Sequence, residues 1–139
     1  MRMVLLALLA ACQPGEDPRQ FAARAAERRP GEDFSRDKRE RIDSLRTMHA
    51  VIAAQPALID RLAAETPLTE AARAALNEKL VVLAMRLDET GDAVESLLVV
   101  EAKDWSARDA AVSDATSRLV EARDAAWRAV IDGERLGAS

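Results

Sequence analysis

The chain has one cysteine, one histidine, no tyrosine, two phenylalanines and two tryptophans in 139 residues. One His and one Cys cannot supply the His/Cys ligand set of a zinc-type centre, so no metal site is expected. With aromatics at 3%, the side chains on which single-stranded nucleic acid stacks are scarce. The formal net charge of −4 gives no general attraction for phosphate backbones. No nucleic-acid partner is therefore expected. Gly-rich phosphate loops, a Ser nucleophile elbow and a His-Glu-x-x-His pattern are all missing. Carboxylates are plentiful, but they fall at the spacing of solvated helix faces. The expectation is a protein that is not an enzyme and needs no cofactor. Five Gly and five Pro leave little turn material, and the chain reads all-α.

Hydrophobic residues make up 49% and charged residues 32%, a globular composition. Alanine dominates the apolar set and favours helix because its side chain loses no rotamer freedom. Met1-Arg2 provides a positive start, followed by an apolar run from Met3 to Ala11. That run is too short for a bilayer, which takes about twenty residues, and has the pattern of a signal peptide. Leu9-Ala10-Ala11-Cys12 resembles the lipobox of bacterial lipoproteins. The resemblance covers the first 12 residues only. It implies cleavage between Ala11 and Cys12, lipidation of the Cys12 thiol, and a membrane partner held through that lipid. Gln13 is not the Asp that keeps lipoproteins in the inner membrane. In a host with two membranes the resemblance then implies the outer membrane, facing the periplasm.

The reading divides the chain into a signal peptide (1–11), a lipid-anchored spacer (12–33), a helical domain (34–135) and a tail (136–139). Pro14, Gly15, Pro18, Pro30 and Gly31 punctuate the spacer. Asp17-Pro18-Arg19-Gln20 could start a short helix there, ending at Pro30-Gly31. The first long helix is expected from about Ser35. Its apolar face is Ile42, Leu45, Met48/His49 and Ile52, and its ion pairs four residues apart are Arg36–Glu40, Asp37–Arg41 and Arg39–Asp43. Pro56 should kink or restart it.

Thr66-Pro67 reads as the next start, Thr capping and Pro at the first helical position. Leu76, Leu80, Leu83 and Leu87 form a stripe that Val94 and Leu97/Leu98 continue in phase across Gly91. This predicts one continuous helix rather than a turn at Gly91. Residues 80–85 are apolar nearly all round, which predicts a helix buried between neighbours. Nearby, Leu68-Thr69-Glu70-Ala71-Ala72-Arg73 faintly resembles the Leu-Thr-x-x-Gln motif of periplasmic helical chaperones. Ala72 stands where that motif has its Gln, and the resemblance assigns nothing. A second turn is expected at about 101–106.

The last helix should carry Trp105, Val112, Ala115, Leu119, Ala122, Ala126 and Val130 on its inner face, with Asp114, Arg118, Glu121 and Asp132 outside. Asp132-Gly133 should end it. The architecture expected is an antiparallel three-helix bundle. The alternative is one long hairpin completing its core as a homodimer. Residues 34–65 carry six Lys/Arg against five Asp/Glu, whereas 66–103 carry four against seven and 104–139 five against seven. Helix–helix attraction explains that asymmetry most simply. Trp127, flanked by Val120 and Ile131, is the candidate partner-binding group; the competing reading buries it in the core. These features suggest a membrane-tethered module that binds a cell-envelope protein. A holdase-type chaperone and a small-ligand-binding bundle are the alternatives.

Overall fold

The computed structural model describes residues 30–138, with side chains from Asp33 to Gly137. The expected signal peptide, Cys12, Asp17-Pro18 and most of the spacer lie outside the described residues. The chain is all-α, a three-helix bundle, and no strand occurs among the described residues. The described residues fall into two units, one up to Arg39 and one from Glu40 onward.

Helix α1 spans Pro30–Ala53. It begins five residues before the expected Ser35 because proline fits a first helical position, where no N–H is needed. In the first unit, Arg36 pairs with Asp33 at 3.4 Å and with Asp37 at 3.5 Å, and the Lys38 ammonium sits 5.7 Å from the Phe34 ring centroid.

In the second unit the bundle has three arms. The first consists of α1 from Glu40 onward and α2 (Gln55–Glu65). Pro56 restarts the helix as expected, since it lacks an N–H and its ring crowds the preceding turn. The break is confined to Ala54, which stays right-handed helical at φ −77° and ψ −17°. Its N–H still reaches the Ala50 carbonyl at 3.3 Å. Ile42, Leu45, Ile52, Ile59 and Ala63 are buried along this arm.

The second arm, α3, spans Glu70–Ser96 without interruption at Gly91. It starts later than Thr66-Pro67 predicts. The Thr66 hydroxyl donates to the Leu62 carbonyl at 2.7 Å and so serves the helix behind it. Thr69 is the cap, and its hydroxyl accepts the Ala72 N–H at 3.1 Å. Leu76, Leu83, Thr90 and Val94 are buried. The expected burial of 80–85 does not hold. Leu83 is buried, but Val81, Val82 and Met85 are 61%, 41% and 54% exposed. With two neighbours, a helix covers one side only.

The second turn comes earlier than expected, as single 3-10 turns at Leu97–Val99 and Ala102–Asp104. The third arm, α4, then runs from Trp105 to Ala138. Val112, Ala115, Leu119, Ala122, Ala126 and Val130 are buried on it, as their period demands. Each fully buried Leu or Val contributes about 1.5–3 kcal/mol. Small residues on α4 let it lie closest to α3. Gly133 does not end the helix. A Cβ there would meet Leu68 Cδ2 at 2.8 Å and Ala72 Cβ at 3.1 Å, and its φ is not positive. It is a close-approach glycine and not a helix stop.

Among the described residues two ion pairs join the arms. Arg41, expected to pair with Asp37, instead donates to Asp109 at 2.9 Å and to the Ser113 hydroxyl at 3.2 Å. Arg46 holds the Glu95 carboxylate with two bonds, of 3.0 and 3.1 Å. Such half-exposed pairs contribute about 0–1 kcal/mol each. Their main effect is to set register.

Candidate functional site

The residues that stand out for function lie along the seam between α2 and α4. The α1–α2 arm and α4 run parallel, because the hydrogen bonds joining them span 68 to 72 residues in sequence throughout. At the floor of the seam the Trp127 indole N–H donates to Gln55 Oε1 at 2.9 Å. Trp127 and Val120 are half-buried against the main core cluster. Ile131 is 46% exposed. Trp127 is thus neither free at the surface nor sealed in the core. Its polar edge is satisfied within the molecule, and part of its ring remains accessible.

Val120 and Ile131 lie within about 40° of Trp127 around α4, at 100° per residue. On the facing arm, Val51, Leu58 and Leu62 are 59%, 48% and 41% exposed. Leu58 and Leu62 lie within about 60° of Gln55 around α2, on the flank that reaches Trp127, and Val51, near the end of α1, stays close to that line because Ala54 keeps a helical backbone. The two sets share one spacing. Val51, Leu58 and Leu62 are separated by seven and four residues, and so are Val120, Trp127 and Ile131. Each member of the second set lies 69 residues beyond its counterpart. The inter-helix bonds span nearly the same distance, so the stripes are level to within about one turn. The result is two parallel apolar rails, each roughly 16 Å long, at 1.5 Å per residue. Seven-and-four spacing places side chains in the successive positions that a further helix would fill.

Sequence reasoning found Trp127, Val120 and Ile131 and missed Val51, Leu58 and Leu62. The signal available was the repeated seven-four interval. Pro56 hides it by breaking the helical pattern between Val51 and Leu58.

Other candidate chemistry is sparse. His49 is half-buried, with Nε2 2.8 Å from the Leu87 carbonyl. A carbonyl can only accept, so that nitrogen carries the proton. An open cleft of about 260 Å³ beside it is lined by Arg46, Gly91, Asp92, Val94 and Glu95. Among the described residues, no group of three or more His, Cys, Asp or Glu is placed to hold a metal ion. No described helix is long and apolar enough to cross a membrane. Compared with family models, with curated proteins and with solved structures, the chain has no match.

Proposed function

We propose that the chain is a lipid-anchored, non-enzymatic module of the cell envelope that binds a helix of a partner protein along the α2–α4 seam. The observation that carries the binding surface is the level pair of apolar rails, Val51-Leu58-Leu62 and Val120-Trp127-Ile131. A three-helix bundle with such a seam has room for a fourth helix. An amphipathic partner helix would bury the rails, as helix-in-groove recognition does. Anchoring rests on the lipobox-like Leu9-Ala10-Ala11-Cys12, with cleavage after Ala11 and lipid on Cys12. Gln13 favours the outer membrane where the host has two.

Cys12→Ser, followed by cell fractionation, tests the anchor. The variant is expected to leave the membrane fraction and to lose its lipid label; retention of both contradicts the reading. Leu58→Asp with Ile131→Asp tests the seam. Crosslinked complexes are expected to disappear while thermal stability stays unchanged.

The exposed Val81, Val82 and Met85 on the outer side of α3 favour one second reading, a holdase that binds unfolded chains. It requires the Cys12→Ser chain to suppress aggregation of a denatured client. Charges in place of these three residues would abolish that effect.

A further inference from the structure

We propose that the end of the body formed by residues 97–104 rests on the lipid surface, with Leu98 and Val99 in the headgroup region. This inference rests on the lipid-anchor reading above. Val99 is 85% exposed and Leu98 46% exposed, although Leu97 and Val100 on either side are buried. The turn that presents them is braced. The Val100 N–H bonds to the Leu97 carbonyl at 3.3 Å and the Asp104 N–H to the Glu101 carbonyl at 3.0 Å. Two adjacent apolar side chains are thus held out from a fixed turn.

The topology puts this turn at the end where the chain enters the body. Arg41, two residues into the second unit, bonds to Asp109 near the start of α4. The turn at 66–69 and the last turns of α4 form the opposite end, since Gly133 and Gly137 lie against Leu68 and Pro67. An anchor on Cys12 therefore feeds into the end that carries Leu98 and Val99. The 17 residues between Cys12 and Pro30 reach at most about 60 Å, which permits contact without forcing it. Contact must come from the tip itself, at the high local concentration of membrane that a tether imposes.

Charge argues for an apolar contact. Glu101 and Asp104 balance Lys103 and Arg108, and the Lys103 ammonium lies 3.6 Å from Glu101. With no basic excess, anionic lipid gains little, and the surface that fits is a zwitterionic headgroup layer. Val51, the nearest rail residue, is ten residues beyond Arg41, roughly 15 Å further along the arm. Leu98 and Val99 would touch the lipid surface, and the seam, further along the arm, would stay clear of that contact.

The test uses the full acylated chain carrying Val99→Trp, bound to phosphatidylcholine vesicles with brominated acyl chains. The added emission should be blue-shifted and quenched by bromine, equally at low and high salt. A tryptophan placed by Leu58→Trp should remain unquenched. A spin label on Val99→Cys, read by oxygen accessibility, gives the same answer without adding an aromatic. If the chain floats with the vesicles while both probes at 99 stay aqueous, the tip proposal is overturned and the anchor survives. If Cys12 proves unmodified by mass, both fall.

Discussion

His49 and Gly91 meet between α1 and α3: His49 Nε2 bonds to the Leu87 carbonyl at 2.8 Å, and a Cβ on Gly91 would come 3.2 Å from that same nitrogen. The glycine is therefore tied to the histidine. Gly91→Ala gains about 1 kcal/mol of helix propensity but pushes on a ring pinned by its hydrogen bond. Alone, it should change stability little. In a His49→Ala background the full gain of about 1 kcal/mol should appear. Urea unfolding of the four chains gives the coupling, expected to be at least about 0.5 kcal/mol. Strict additivity would refute the relationship.

Gly133 is a sharper case. An added methyl would meet Leu68 Cδ2 at 2.8 Å and Ala72 Cβ at 3.1 Å. Despite better helix propensity, Gly133→Ala should lose about 1–2 kcal/mol through overpacking. For a domain this size that lowers Tm by about 4–8 °C per kcal/mol. Adding Leu68→Ala should remove the penalty of the alanine at 133. If Gly133→Ala stabilises the parent chain, the close approach is not there.

The Thr116 hydroxyl is buried and has no hydrogen-bond partner among the described residues. Thr116→Val keeps the shape and removes a desolvated polar group, so stability should rise by about 0.5–1 kcal/mol. Calorimetry that shows a loss instead would mean the hydroxyl makes a bond of value.

Trp127→Phe keeps an aromatic ring in the seam and deletes the N–H that reaches Gln55. A loss of about 1 kcal/mol is expected, the usual net worth of one such bond. Leu58→Asp and Ile131→Asp sit on half-exposed positions and should each stay within about 0.5 kcal/mol of the parent. A chemical-denaturation series separates these outcomes. A large loss from either Asp would recast the rails as core.

Residues with regular helical period were readable from the sequence. The stripe from Leu76 to Val94 and that from Val112 to Val130 declare their inner faces because burial repeats every three to four positions. Continuity through Gly91 followed from the unbroken phase. Three features were not readable. Hydrophobicity at Val81, Val82 and Met85 does not reveal how many neighbours a helix has. Two threonines three residues apart offer two caps, and Thr69 won because the Thr66 hydroxyl is used by Leu62. Asp132-Gly133 has the composition of a helix stop, but what Gly133 supplies is space for Leu68. Of the candidate site, one rail was visible as an aromatic with apolar flanks. The other became visible only when the Gln55–Trp127 bond fixed the register across Pro56.

The most direct test of the central claim, that the α2–α4 seam is the binding face of an envelope-tethered module, is photo-crosslinking in intact cells. A photoreactive amino acid is placed in turn at positions 58, 62 and 131 on the seam, and at the exposed Ala74 and Asp114 away from it. The account predicts one membrane-fraction adduct of common mass from the three seam positions, lost when Trp127 or Val51 is replaced by Asp, and none from 74 or 114. Adducts of equal yield from all five positions, or none from the seam, would contradict it.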